Sequence, residues 1–179
     1  SFSFVFVAGC SDPKPDYSEF YKPQPGDEPE EPVNPGLDDN QLKVMSFNIR
    51  YSSGDDGANS WDNRKQAVPA MFADQQPTVL GVQEARLDQK TYMDENCAGY
   101  KSIGVGRTDG QNAGEFMAIY YLDDAVKLEK WGTFWLSDTP DTPSIGWDAS
   151  TYRTATWAVF THYKSGRKFF YVNTHIDHV

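Results

Sequence analysis

The sequence predicts an α/β fold in which a mixed sheet is covered by helices. Two apolar runs, residues 42–49 and 78–83, flank a stretch of rough helical spacing, so the folded part opens strand–helix–strand. Beyond Gly99 the pattern is mostly β, and its last two runs flank Lys164-Ser165-Gly166-Arg167, a good hairpin turn. Five Trp, ten Tyr and eleven Phe suit a β-rich interior. A strand–helix–strand opening followed by successive hairpins implies an α/β sandwich layer. It is not a dinucleotide-binding domain, and no glycine-rich phosphate loop of either standard kind is present.

The first ten residues are apolar up to Val7-Ala8-Gly9-Cys10. Small residues ahead of a cysteine read as a lipobox, the end of an exported lipoprotein signal whose Cys10 is acylated after cleavage. The alternative is a short strand that happens to contain a cysteine. Residues 11–41 hold seven of the eleven prolines and few long apolar side chains. Such a segment buries too little surface to offset its ordering entropy and reads as an extended tether. These expectations together describe a protein anchored in a bacterial cell envelope through lipid on Cys10, facing the periplasm or the outer surface.

The net charge of -10 is concentrated in that tether, which has nine acids against Lys14 and Lys22. The domain expected over residues 42–179 is therefore near neutral. That disfavours a non-specific nucleic-acid binder, which needs a basic face. Cys10 and Cys97 make no disulfide framework.

Within the domain, residues 42–49 read as a buried strand and residues 51–59 as a Gly, Ser and Asp loop. A helix starts near Ser60, with Asn59 or Ser60 as N-cap and Trp61, Ala67, Val68, Met71 and Phe72 on its apolar side. Pro69 should kink or shorten it. Residues 78–83 form a second buried strand and residues 87–96 a short helix. Further strands are expected over residues 100–105, 115–121, 128–135, 154–163 and 168–173.

Three of these strands end in polar groups: Asn48 in Ser46-Phe47-Asn48-Ile49-Arg50, Glu84 after Val82-Gln83, and His175 in Asn173-Thr174-His175-Ile176-Asp177-His178. A carboxylate closing a buried run is costly without a partner. A hard cation such as Mg²⁺ suits Glu84, since it wants oxygen ligands and often takes only one or two carboxylates. Capping the next helix, or pairing with Arg86 or Lys90, are the alternatives. Asn48 could orient a metal-bound water or bond a phosphate oxygen, or be a simple turn residue. His175 could donate to a phosphate oxygen as an imidazolium, or be structural.

Taken together and in this order, the three segments resemble the endonuclease/exonuclease/phosphatase superfamily. The segments Asn59-Ser60-Trp61-Asp62-Asn63-Arg64, Gly104-Val105-Gly106-Arg107-Thr108-Asp109-Gly110 and Gly132-Thr133-Phe134-Trp135-Leu136-Ser137 resemble its exported bacterial branch. So do Gly114-Glu115-Phe116 and Gly146-Trp147-Asp148-Ala149. The resemblance implies part of a four-layer α/β sandwich with mixed, largely antiparallel sheets and an active site along one edge. It implies Glu84 and Asn48 at a Mg²⁺ (or Mn²⁺) site, with His175 contacting phosphate as a third catalytic group. Arg107, Glu115, Tyr120 (or Tyr121), Trp147 and Arg153 are candidates for the substrate rim, or for a scaffold of ion pairs and aromatic packing.

The activity implied is metal-assisted hydrolysis of a phosphodiester or phosphomonoester. The family's downstream Gly-Asp-Phe-Asn and Ser-Asp-His segments are not in this sequence, and Asp177-His178 does not replace the latter pair. The chain is therefore expected to be an N-terminal portion, inactive alone, that exposes a sheet face. The rival expectation is a non-catalytic surface lipoprotein that binds glycan or phospholipid. Exposed Trp131, Trp135 or Trp147 in a row would favour it.

Overall fold

The structure is a computed structural model that describes residues 4–6 and 41–177. Cys10 and nearly all of the expected tether lie outside the described residues, as do His178 and Val179. In chain order the strands are β1 (Phe4–Phe6), β2 (Val44–Asn48), β3 (Val79–Ala85), β4 (Tyr100–Ile103), β5 (Phe116–Leu122), β6 (Val126–Trp135), β7 (Thr154–His162) and β8 (Lys168–Thr174). The helices are α1 (Trp61–Arg64), α2 (Ala67–Gln75) and α3 (Leu87–Asn96).

One sheet has the order β1-β2-β3-β5-β4, parallel through β1, β2 and β3 and antiparallel from β3 to β5 and β4. The other is an antiparallel meander, β6-β7-β8. Mixed and largely antiparallel sheets, one of them covered by helices, make this part of an α/β sandwich.

The helix expected from Ser60 is broken in two. Ser60 does occupy the position before α1, although its side chain makes no capping hydrogen bond. The break puts Pro69 in the first turn of α2, where a missing N–H costs nothing. Val68 and Phe72 of α2 and Met93 of α3 then pack on Met45, Leu80, Val82, Phe116 and Tyr120 of the first sheet. The opposite face of that sheet presents Val79, Ile119 and Tyr121 to Ala158, Phe160 and Tyr171 of the second. These two apolar layers alternate along β3 and β5 with the period of two that a strand imposes.

β2 is less buried than its apolar run suggests. Met45 and Ile49 are buried, whereas Ser46 and Asn48 are exposed. β8 is the last strand of the second sheet and reaches β2 through the Tyr171 hydroxyl, which donates to the Met45 carbonyl at 3.1 Å, and through the apolar cluster that Val44 shares with Phe169 and Tyr171. Across the second sheet, Trp157 stacks on Phe170 at 5.9 Å between ring centroids, and Phe170 is 63 % exposed.

Candidate active site

The two sheets are pinned by a pair of buried amides. Gln83, near the end of β3, donates from Nε2 to Asn173 Oδ1 at 2.6 Å. Asn173, near the end of β8, donates from Nδ2 to the carbonyls of Val82 and Ala118, each at 2.8 Å. Each polar group so buried needs its partner, so the contact fixes how β8 sits on β3 and β5. Gly81 makes the approach possible: a Cβ there would stand 2.7 Å from Asn173 Oδ1 and 2.8 Å from the Tyr171 hydroxyl. The residues that follow this pin, Glu84 on one chain segment and Thr174-His175 on the other, leave the sheets at a common edge.

Glu84 sits in a β-bulge. The pairing of β3 with β5 shifts register between Val82 and Ala85, and Glu84 has φ 63°. Bulges re-aim side chains, and a left-handed glutamate costs about 1–2 kcal/mol that the surroundings must offset. Its Oε1 accepts from Asn48 Nδ2 at 2.8 Å, and its Oε2 accepts from the Tyr51 backbone N–H at 3.3 Å. Asn48 Oδ1 in turn accepts from the Arg50 N–H at 2.9 Å. Asn48 thus orients the carboxylate with its nitrogen while its oxygen holds the turn.

That turn is buttressed from below. Arg50 has φ 57°, its carbonyl accepts from Arg64 Nη2 at 2.6 Å and from Gln89 Nε2 at 2.8 Å, and Arg64 Nη1 donates to the Ile49 carbonyl. Gln89 is fully buried and also accepts from the Arg86 N–H at 3.1 Å. Arg64 and Gln89 were not singled out by sequence reasoning. A glutamine inside the first turn of a helix carries no signal that it supports a loop 39 residues earlier.

His175 follows β8 and is held by a second clamp. Asp177 accepts from Arg153 Nη2 at 2.8 Å and from the Ser150 N–H at 2.7 Å, and Arg153 Nη1 reaches the His175 carbonyl at 3.4 Å. The Arg153 side chain is 7 % exposed. Asp177 is therefore engaged as an anchor for the strand end. Burial lowers the His175 pKa; the Glu84 carboxylate opposes that shift and the Arg153 guanidinium adds to it. The imidazole thus senses the charge on Glu84. Its Nδ1 is buried and makes no hydrogen bond among the described residues.

Arg107 and Glu115 form a buried ion pair at 2.9 Å. Burial lowers the Arg107 pKa, with Glu115 opposing, and both charges are felt by His175. Trp147 is on a neighbouring loop, 73 % exposed.

Tyr120 is a correction. It is 1 % exposed, on the helix-facing side of β5, with its hydroxyl donating to Asp94 Oδ1 at 3.0 Å and its ring edge-to-face with Phe72. The alternation of a strand carries it away from the second sheet, so it is a core residue and not part of the rim. Tyr121 faces the other way but packs on Phe160 between the sheets. The tryptophans do not form an exposed row either, because Trp135 is buried with Nε1 donating to the Arg107 carbonyl at 2.7 Å.

Among the described residues, no three His, Cys, Asp or Glu side chains gather as a metal cluster. One carboxylate with an amide beside it still fits Mg²⁺, which keeps several waters and uses substrate phosphate as ligand. Glu84 keeps lone pairs beyond its two hydrogen bonds for that purpose.

No family model matches the chain. Among solved structures it is similar to the endonuclease/exonuclease/phosphatase from Bacteroides vulgatus, at 39 % identity and a TM-score of 0.75 over 77 % of this chain and 53 % of that one. It is also similar to a mannosyl-6-phosphatase from Bacteroides thetaiotaomicron, at 40 % identity and a TM-score of 0.74 over 77 % of this chain and 52 % of that one. The chain belongs to the endonuclease/exonuclease/phosphatase superfamily. A TDP2 structure from D. rerio shares the superfamily fold at 19 % identity, with a TM-score of 0.59 over 77 % of this chain and 47 % of that one. An uncharacterized protein of Acanthamoeba polyphaga mimivirus is 25 % identical over 146 residues, 76 % of this chain and 54 % of its own length. The chain thus spans about half the length of the superfamily proteins it matches.

Proposed function

We propose that the chain carries the Glu84–Asn48 and His175 side of a metal-dependent phosphate-ester hydrolase site. One observation carries the reading: the Gln83–Asn173 contact pins the ends of β3 and β8 together, and Glu84 and His175 follow it at one edge of the sheets. A divalent cation bound there supplies charge neutralisation on the phosphate and its leaving oxygen.

Glu84 would hold that cation, with Asn48 keeping the carboxylate in one orientation. Burial lowers the His175 pKa in the free protein and so favours the neutral ring before substrate arrives. An arriving phosphate would raise that pKa again, and the ring would hold the proton against a phosphate oxygen. Arg153 and Asp177 would keep the ring in place.

Mg²⁺ or Mn²⁺ suits this donor set, and the substrate is a phosphate ester. In the complete protein, Glu84→Gln should abolish Mg²⁺-dependent hydrolysis of diester and monoester substrates while the fold persists. Full activity in that variant would remove the assignment. Export and lipid anchoring at Cys10 belong to the same proposal. A Cys10→Ser protein should move from the membrane fraction to the soluble one, and unchanged membrane association would end that part of it.

A further inference from the structure

We propose that Arg64 is a positioning residue for the cation site: its guanidinium sets Asn48 and Glu84 through the two peptide groups that flank Arg50. The inference rests on the metal-dependent reading above. Arg64 closes α1, and all three of its side-chain nitrogens donate to backbone carbonyls. Nε reaches Asn59 at 3.0 Å, Nη1 reaches Ile49, and Nη2 reaches Arg50 at 2.6 Å. The guanidinium also lies over the Trp61 ring, 5.2 Å from its centroid. A planar fork held at every nitrogen has one orientation.

The peptide planes carry that orientation to the site. The Ile49 carbonyl and the Arg50 N–H belong to one peptide group, and that N–H donates to Asn48 Oδ1 at 2.9 Å. The Arg50 carbonyl and the Tyr51 N–H belong to the next, and that N–H donates to Glu84 Oε2 at 3.3 Å. Because a peptide group is planar, a donor fixed on each carbonyl aims the N–H at the other end. Hydrogen bonding at the carbonyl also polarises the peptide and strengthens that N–H as a donor. Gln89, fully buried, places a second donor on the Arg50 carbonyl at 2.8 Å. Arg50 itself, between the two planes, has φ 57°, a conformation that persists only where its surroundings hold it.

The charges are arranged for a cation. The Arg50 side chain turns to Asp56 at 3.1 Å, and the Arg64 donors are taken up by carbonyls. Among the described residues, the donors on Glu84 are neutral: the Asn48 amide and the Tyr51 N–H. The carboxylate is thus oriented without being neutralised, as a ligand for a hard divalent cation requires.

The test uses the complete protein and Mn²⁺ alone, with free Mn²⁺ read by electron paramagnetic resonance and folding checked by urea unfolding. Arg64→Lys keeps the charge but loses the fixed fork that spans both carbonyls. It should weaken Mn²⁺ binding by roughly 10–100-fold, the usual cost of losing a group that orients a metal ligand. Gln89→Met removes the second donor from the Arg50 carbonyl and should weaken binding by about threefold. In metal-free protein, hydrogen exchange at the Tyr51 N–H should quicken in both variants, and unchanged exchange contradicts the coupling through the peptide. A folded Arg64→Lys protein with wild-type Mn²⁺ affinity overturns the proposal. If that variant does not fold, wild-type affinity in Gln89→Met overturns it instead. Either result, with binding still lost in Glu84→Gln, leaves the cation-site reading standing. No Mn²⁺ binding by the wild type, or wild-type affinity in Glu84→Gln, overturns both.

Discussion

Gln83 Nε2 and Asn173 Oδ1, 90 residues apart in the chain, meet at 2.6 Å in the buried seam between the two sheets. That contact sets the relation of the two strand ends, because Glu84 and His175 each follow within two residues of it. Asn173→Ala would remove the shortest hydrogen bond of the Gln83 amide and the side-chain donor to the carbonyls of Val82 and Ala118. We expect a loss of roughly 2–4 kcal/mol in urea unfolding. Gly81→Ala should cost about 1–3 kcal/mol through collision with the same amide, without touching any side chain of the site.

Glu84→Gln should be nearly silent in stability, within about 1 kcal/mol. The glutamine can keep its carbonyl oxygen toward Asn48 and loses only the long bond to the Tyr51 N–H. Its effect should appear in Mg²⁺ titration, where the variant should bind no cation. A large loss of stability would show the carboxylate to be structural.

The element pattern was legible because it rests on local rules. Residues 87–96 form the helix expected there, and the strands shift by only one or two residues at their ends. Pro69 announced a disruption, although sequence alone did not show that the chain would restart a helix two residues before it. The polar strand ends were legible as motifs, but their roles were not. Gln83 and Asn173 read as neighbours of chemical residues, yet they do the positioning. Tyr120 failed for the opposite reason: strand parity decides which sheet face a residue occupies, and no sequence signal at Tyr120 reveals the bulge at Glu84 or which face meets the second sheet.

His175 also gives a pH dependence. Its folded pKa is lowered by burial, so the unfolded chain binds more protons in the window between the folded value and the ordinary one near 6.5. The stabilising contribution is complete above that ordinary value and is lost as pH falls through the window. In metal-free buffer, the urea midpoint of the wild-type chain should fall more steeply than that of His175→Gln as pH drops below about 6.5. Parallel curves would contradict the burial of the ring.

Asp177→Ala should release the segment after β8 and not unfold the domain, because the clamp lies at a strand end. Freed from burial, His175 should titrate at a higher pH than in the wild type, a shift readable by NMR of the imidazole protons. An unchanged titration would mean that Arg153 and Asp177 do not hold the ring.

The outer face of the β6-β7-β8 sheet should make this chain self-associate. Trp157 and Phe170 stack there, and Phe170 and Val172 are exposed. Phe170→Lys should reduce association seen by sedimentation velocity, with little effect on stability because the side chain is 63 % exposed.

The most direct measurement uses Mn²⁺ as a paramagnetic probe in NMR of the histidine rings. Bound at Glu84, it should broaden the His175 resonances at low stoichiometry and leave His162 sharp, since His162 ends β7 about 27 Å along the strand from Thr154. Glu84→Gln should abolish the broadening. If the His175 signals stay sharp in the wild type, or broaden equally in Glu84→Gln, the two groups do not share a cation-and-phosphate site.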